Sequence, residues 1–274
     1  MSRLTSSLGA GAVGLLLAAT MHPCHAGVIT FDPADGYATG SGLGGQPAGG
    51  SPQWISGGQN LYTVASDGGT GGVAQSTANN PGQFVANTFT PDAAFLGGSD
   101  AASGLYDYSF SLRNDAESSP GADGGRAAHR IIIGGTVSAP AIRIDVLNNG
   151  RMRIQNAGSD SVLIANNNGN VIDLDGNSTN GVFVEVAGTI NFSTQTFTLA
   201  FNGKSQSFNG STDLTFDSSV TAGFGDVVFQ QGGATESVIR QISIDDVSLN
   251  VVPEPGSMPL ASLGLLALLR RTRR

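Results

Sequence analysis

The chain is poor in the side chains that most metal centres and many enzymes use. It has one cysteine, Cys24, and three histidines, of which only His129 lies beyond residue 26. A disulfide needs two cysteines, and a structural zinc site needs several cysteine or histidine ligands. The chain after residue 26 therefore excludes a disulfide framework, a cysteine nucleophile and a cysteine–histidine zinc site.

Charged residues are also scarce, at 12% of the chain, and they are unevenly distributed. Residues 27–252 hold eight of the 13 basic residues and 20 of the 21 acidic residues, which gives this segment a formal net charge of −12. A surface of that sign repels nucleic acid and anionic lipid, and it attracts cations. We therefore expect no nucleic-acid partner.

Helical patterning is missing from residues 27–252 as well. No window sustains apolar residues at a period of 3.6, whereas glycine is abundant, at 40 of 274 residues. Apolar and polar residues alternate instead, most clearly over residues 105–112. Short alternating runs between Gly and Asn turns are typical of an antiparallel β-sandwich. We predict one such domain over 27–252, with the Gly-rich segment 27–104 as its least patterned part.

Two Asn-Gly pairs predict hairpins. In the first, a three-residue loop places Asp145 opposite Arg153 and keeps the apolar residues of both strands on one face, which a two-residue loop would not do. In the second, a two-residue turn at 202–203 would place Phe197 opposite Phe208. Strands joined by such turns pair antiparallel, so both hairpins favour the sandwich.

The last alternating run changes phase between Ile244 and Val247, a gap of three residues. One extra residue at Asp245 and Asp246 restores the phase, and we predict a β-bulge there. This acidic pair resembles the one that closes some carbohydrate-binding sandwiches, where it helps to hold a structural calcium. Asp32 is then the expected third ligand. The alternative is a solvated bulge whose acids protect an edge strand.

The first 26 residues are typical of a signal peptide. Arg3 supplies the positive start, residues 8–19 form the apolar segment, and residues 24–26 offer a small-x-small cleavage site. We expect export through the Sec translocon and a mature chain that begins at Gly27. A lipoprotein anchored through its cysteine is the alternative, although the preceding residues make a poor lipobox.

The C-terminal segment 253–274 combines three parts. They are the motif Pro253, Glu254 and Pro255, an apolar run at 258–269, and the basic residues Arg270, Arg271, Arg273 and Arg274. Twelve helical residues span about 18 Å, well short of a hydrocarbon core of about 30 Å. This order resembles the PEP-CTERM sorting signal of Gram-negative bacteria, which membrane-embedded exosortases recognise. The resemblance implies transient inner-membrane association, processing near the motif, and delivery to the cell surface or extracellular matrix, often in organisms that form exopolysaccharide.

The order of strands over residues 105–252 is similar to that of jelly-roll sandwiches of the concanavalin A or laminin-G type. It runs from a "YSFSLR" strand through a hairpin and "VEVAGTINFSTQTFTLAFNG" to a closing "IDDVSL" strand. The resemblance implies an all-β body. We expect helices only in the signal peptide and the sorting tail.

No catalytic residue is predicted. Jelly-roll glycosidases pair two carboxylates about 5 Å apart, and Glu185, the one glutamate on a predicted strand, has no acidic partner at the required spacing. Trp54, the only tryptophan, is the candidate for stacking on a sugar ring. The alternative is that Trp54 fills one end of the core.

These features predict an exported, noncatalytic protein with a structural or adhesive role at the cell surface or in the matrix. A carbohydrate-binding module for exopolysaccharide is the alternative function, and a divergent glycoside hydrolase is the second alternative. The expected partners are the exosortase and the Sec translocon during export, and polysaccharide afterwards. Beyond the structural calcium, no cofactor is expected.

Overall fold

The structure is a computed structural model, and it describes most of the segment between residues 27 and 252. The described ranges are 27–47, 52–57, 59–69, 71–77, 82–93, 95–96, 104–116, 126–156, 160–166, 168–173, 181–216, 219–220, 224–232 and 240–252. They form two antiparallel β-sheets around one apolar core, and their one helical element is a 3₁₀ turn at Pro33–Asp35. The predicted all-β antiparallel sandwich is confirmed.

The strands are numbered here in chain order. They are β1 (Gly27–Ile29), β2 (Trp54–Ser56), β3 (Tyr62–Ser66), β4 (Gly72–Ser76), β5 (Val85–Phe89), β6 (Leu105–Ala116), β7 (Ala127–Gly135), β8 (Pro140–Leu147), β9 (Met152–Asn156), β10 (Asp160–Leu163), β11 (Val184–Asn191), β12 (Thr196–Phe197), β13 (Ala200–Phe201), β14 (Lys204–Ser205), β15 (Leu214–Thr215), β16 (Val227–Gln231) and β17 (Gln241–Val252).

The larger sheet has the order β14-β13-β11-β6-β17-β4-β3, with β1 paired to β17, β12 paired to β11, and β15 paired to β12. The smaller sheet has the order β10-β9-β8-β7-β16-β5-β2. The first and last strands are neighbours, since Ile29 of β1 pairs with Val247 of β17. This pairing brings the chain after β1 close to the acidic pair of β17.

The two sheets enclose the apolar side of each strand. In β8, Ile142, Ile144 and Val146 are buried in the common core cluster. Arg143 and Asp145 alternate with them and therefore belong to the outer face of the smaller sheet. The same alternation along β9 places Arg153 and Gln155 on this outer face.

Two of the predicted register features are confirmed. Asp145 pairs with Arg153 in the β8–β9 hairpin, as the three-residue loop requires. The pairing of β17 with β6 shifts by one residue between Asp245 and Ser248, which is the predicted bulge. Asp246, within the bulge, has a positive φ of 51°.

The second Asn-Gly hairpin is only partly as predicted. The two-residue turn at 202–203 is present, but the predicted pairing of Phe197 with Phe208 is wrong. Phe197 pairs with Leu214 instead, because a further two-residue turn at 209–210 reverses the chain. Both turns have positive φ at Asn and Gly, the geometry that this residue pair favours.

The two ends of the chain lie outside the described residues. This applies to the predicted signal peptide at 1–26, to the sorting tail at 253–274, and to the helices expected in them. Within the described ranges, no helix is long and apolar enough to cross a membrane. The last described strand, β17, ends at Val252, directly before the tail.

Candidate functional site

Trp54 is a core residue and not a loop residue. It begins β2, it is 1% exposed, and its ring centroid lies 4.7 Å from that of Phe229 and 5.3 Å from that of Phe89. Its indole N–H donates a hydrogen bond to the Tyr37 hydroxyl over 3.3 Å. A ring buried this deeply has no face to offer a sugar. The prediction of Trp54 as a sugar-stacking residue is therefore wrong, and Trp54 instead fills the core.

The predicted acidic residues converge, and a further aspartate joins them. Burial raises the pKa of Asp245 to about 7, and the negative charges of Asp246, Asp32 and Asp67 raise it as well, while a backbone hydrogen bond opposes them. Asp32 is held in place by the backbone N–H of Gly72, which donates to its Oδ1 over 2.6 Å. We call Asp32, Asp67, Asp245 and Asp246 the acidic cluster.

A cation at the acidic cluster stays a prediction. Within the part of the chain that the structure describes, no three Asp, Glu, His or Cys side chains are grouped so as to hold a metal ion. The four carboxylates nevertheless repel one another, and a calcium ion would relieve this repulsion. The cluster contains all three residues that the sequence predicts as ligands.

His129, the single histidine beyond residue 26, lies fully buried between the sheets. Its Nδ1 accepts a hydrogen bond from the Tyr62 hydroxyl over 3.0 Å, and its Nε2 donates to the carbonyl of Arg240 over 2.5 Å. Burial lowers the pKa of His129 to about 4, so the ring is neutral at physiological pH. This histidine links β7 of the smaller sheet to β3 of the larger one, and substrate has no access to it.

Glu185, the strand glutamate considered for hydrolysis, is exposed on β11. Its cross-strand neighbour on β6 is Ser111. A retaining glycosidase needs a second carboxylate about 5 Å from the first. The position opposite Glu185 supplies a hydroxyl instead.

The outer face of the smaller sheet carries a cluster of arginines that no sequence pattern predicted as a site. Arg130 on β7, Asp145 on β8 and Arg153 on β9 are direct cross-strand neighbours. Arg143 lies two residues before Asp145 and therefore on the same face. We call these four residues the arginine cluster.

Asp145 is the central carboxylate of this cluster. Nε and Nη2 of Arg143 donate to its two oxygens over 3.0 and 2.9 Å, and Nε and Nη2 of Arg153 donate to Oδ2 over 3.1 and 3.0 Å. Nε of Arg130 lies 3.2 Å from Oδ1. Three positive charges thus surround one negative charge. The side chain of Asp145 is 4% exposed, whereas those of the arginines are 21–31% exposed.

The electrostatic surroundings of Arg130 reflect this excess of positive charge. Burial lowers the pKa of Arg130, Asp145 opposes that effect, and the charges of Arg143 and Arg153 add to it. The guanidinium of Arg130 also lies over the ring of Phe84, 3.8 Å from its centroid. Such cation–π contacts are favourable, and Arg130 stays protonated at any physiological pH.

Two buried polar atoms beside the cluster lack a hydrogen-bond partner: Oε1 of Gln155 and Oε1 of Gln230. Gln230 continues the row across the sheet, since it pairs with Arg130. Next to Gln155 is a cleft of about 160 Å³. It is lined by Arg143, Asp145, Arg153, Ile154, Gln155 and Ser161. An anion that also carries hydroxyl groups matches this combination of surplus cations and an unpaired acceptor.

Comparison with known protein families identifies the C-terminal segment. Residues 251–274 match the PEP-CTERM protein-sorting motif. The chain ends in a PEP-CTERM sorting signal. This motif implies export and sorting to the cell surface, and it confirms the resemblance carried by Pro253, Glu254 and Pro255. No curated protein matches the chain in sequence.

Solved structures with a related arrangement are distant. A sialidase has 14% identity and a TM-score of 0.48, with 73% of this chain and 17% of that chain covered. The receptor-binding domain of botulinum neurotoxin D has 11% identity and a TM-score of 0.42, with 74% and 46% covered. Trypanosoma rangeli sialidase has 11% identity and a TM-score of 0.38, with 73% and 30% covered. The chain spans less than half the length of each, and these scores carry no argument about function.

Proposed function

We propose that the protein is recognised by an exosortase, held briefly in the inner membrane and released to the cell surface or extracellular matrix, where its role is noncatalytic and adhesive or structural. The single observation that carries this proposal is the PEP-CTERM motif at residues 251–274. The 12-residue apolar run at 258–269 supports a transient association, because it is too short for a stable membrane anchor.

The position of the motif relative to the fold supports processing without loss of structure. The last described strand, β17, ends at Val252. β17 lies inside the larger sheet, between β6 and β4, so its contacts are made before the tail begins. Removal of residues after the motif would leave every described strand intact.

The residues that a hydrolase would use support a noncatalytic role. His129 is fully buried and bonded on both ring nitrogens. Glu185 faces Ser111 and not a second carboxylate. The body therefore provides surfaces for contact with other molecules, and polysaccharide is the partner class that we expect at the cell surface.

A fractionation experiment tests the sorting step. Replacing Pro253 and Pro255 with alanine should leave the protein in the membrane fraction at its unprocessed size, while the unaltered protein appears in the surface or medium fraction. Pro259→Ala is the matched control, because it removes a proline from the apolar run and leaves the motif intact. Unchanged size and location of the Pro253/Pro255 variant on an immunoblot would refute the proposal.

A further inference from the structure

We propose that the arginine cluster and its cleft bind the carboxylate-bearing sugars of an acidic polysaccharide. The proposal rests on the surface role proposed above and names the ligand class through which the protein adheres. Its starting point is the outer face of the smaller sheet, where three arginines share one aspartate and a buried glutamine oxygen has no partner.

The local charge favours an anion although the body is acidic. At physiological ionic strength, charges more than about 8 Å away are largely screened. A group in the cleft therefore responds mainly to Arg130, Arg143 and Arg153 with Asp145, which together carry a formal charge of +2. The distant acids act on the approach of a polyanion, but they have little effect on a group that is already bound.

The donors of the cluster fit a planar carboxylate. Arg143 and Arg153 each hold Asp145 through Nε and Nη2, which uses two of the five N–H donors of each guanidinium. The remaining donors can hold a second carboxylate in the same forked geometry. Asp145 serves to fix the two guanidinium groups in position before the ligand arrives.

The unpaired oxygen of Gln155 indicates that the anion is a sugar acid. A buried acceptor without a partner is unfavourable, and such atoms are rare in folded proteins. Gln155 lines the same cleft as Arg143 and Arg153, so a ligand that binds the guanidinium groups through its carboxylate has the Gln155 amide beside it as a partner for a hydroxyl. The exposed Ser161 hydroxyl at the rim can donate or accept a further bond. A uronic acid residue carries both groups on one ring.

The size of the cleft agrees with a single sugar acid. A protein cavity of about 150 Å³ holds a benzene ring, so the cleft of about 160 Å³ has room for one six-membered sugar ring. The cleft is open at the surface. A polymer can therefore place one acidic residue in the cleft while its neighbours remain outside.

Affinity electrophoresis of the protein purified from the surface fraction tests this proposal. Native gels would contain polygalacturonate, which is a uronate polymer, or dextran, which is neutral, or dextran sulfate. We expect polygalacturonate to retard the protein and dextran to leave its mobility unchanged. Arg153→Gln and Gln155→Leu should each raise the dissociation constant for polygalacturonate about tenfold or more.

Three controls separate binding from folding and from general charge attraction. Gln155→Leu removes an unpaired acceptor, so its melting temperature should not fall. Arg113→Gln removes an arginine from the larger sheet and should change the dissociation constant less than twofold. Arg153→Lys keeps the charge but loses the fork, and it should weaken binding severalfold.

Several outcomes would overturn the proposal. Equal retardation of the original protein and the Gln155→Leu and Arg153→Gln variants would exclude the cleft as the site. Stronger retardation by dextran sulfate than by polygalacturonate would show that the site prefers sulfate esters to carboxylates, and this would refute a carboxylate-bearing sugar as the ligand. Absence of retardation by polygalacturonate, for a protein that is correctly sorted, would refute the ligand class and leave the proposed sorting intact.

Discussion

The two sheets carry the same Arg-x-Asp pair on their outer faces, but its surroundings differ. On β6 of the larger sheet, Arg113 donates to Asp115, which also accepts hydrogen bonds from Gln75 and Ser243. On β8 of the smaller sheet, the carboxylate of the pair is shared by three arginines. One local motif therefore forms a balanced network on one face and a positively charged site on the other.

This contrast shows that function depends on the neighbouring strands and not on the motif. Arg113 also lies over Phe183, 4.6 Å from the ring centroid, so even its stacking resembles that of Arg130 on Phe84. What the larger sheet lacks at this place is the additional arginines that β7 and β9 supply. The larger sheet therefore provides matched controls for substitutions of Arg143 and Asp145, namely those of Arg113 and Asp115.

The largest predicted difference between the faces concerns the two aspartates. Asp145→Asn should reduce the free energy of unfolding by about 3 kcal/mol or more, because it leaves three partly buried arginines without a counter-charge. Asp115→Asn should reduce it by about 2 kcal/mol, because one arginine and neutral donors lose a charged acceptor. Urea denaturation of both variants measures the difference. A larger loss for Asp115→Asn would contradict the comparison.

The next prediction concerns the interior between the two faces, where His129 joins the sheets. The folded protein keeps His129 neutral down to about pH 4, whereas the unfolded chain protonates it near pH 6.5. The unfolded state therefore gains this proton first as pH falls, and the contribution of His129 to stability should fall by about 3 kcal/mol between pH 6.5 and pH 4. Above pH 6.5 this contribution should be constant.

Denaturation at several pH values checks this prediction. The range from pH 6.5 to pH 5 is the most informative, provided that Asp245 is replaced by Asn in every protein compared, because the raised pKa of Asp245, about 7, makes stability change in the opposite direction there. His129→Gln should remove most of the slope in this range. A slope that persists in the variant would show that other groups are responsible.

A third prediction compares the arginine cluster with the acidic cluster. If the acidic cluster holds calcium, an ion at a hundred times its dissociation constant should add about 2.7 kcal/mol of stability. The melting temperature of the protein should then rise by about 5 °C or more relative to chelator-treated protein. Asp246→Asn should reduce this rise, while Asp145→Asn should not. A shift in melting temperature below about 1 °C would refute calcium binding at the acidic cluster.

The smallest predicted difference concerns two outer-face glutamines. Gln75 on the larger sheet donates to Asp115 over 2.8 Å, whereas Oε1 of Gln155 on the smaller sheet has no partner. Gln75→Leu should therefore reduce the free energy of unfolding by about 1 kcal/mol, and Gln155→Leu should leave it unchanged or increase it. Thermal denaturation of the unliganded proteins measures both. A loss for Gln155→Leu equal to that for Gln75→Leu would mean that Gln155 has a structural partner.

The local features of the fold could be predicted from the sequence, because they depend on residues close together in the chain. Turn chemistry and the apolar period determine the pairing of Asp145 with Arg153 and the bulge at Asp245. The burial of Trp54 could not be predicted from the sequence, because it depends on contacts with Phe89 and Phe229, which lie far away in sequence. A three-residue strand inside a Gly-rich and Pro-rich segment gives no period from which to predict this.

The arginine cluster could be predicted in part. The β8–β9 register, which the sequence predicts, already places Arg153 beside Asp145. The missing partner was Arg130, whose alignment requires the pairing of β7 with β8. That pairing begins next to two glycines with positive φ, Gly134 and Gly135, and no simple turn signature predicts its register. The acidic cluster was predicted more completely, since Asp32, Asp245 and Asp246 lie on or beside the first and last strands.

The most direct test of the whole account is the intact mass of the protein recovered from the cell surface or the culture medium. Processing by an exosortase predicts the mass of a chain that begins at Gly27 and ends near Pro253 to Pro255. Such a chain lacks the apolar run and the final arginines. A mass that includes the sequence through Arg274 would contradict the account, because the tail would then be a permanent part of the mature protein.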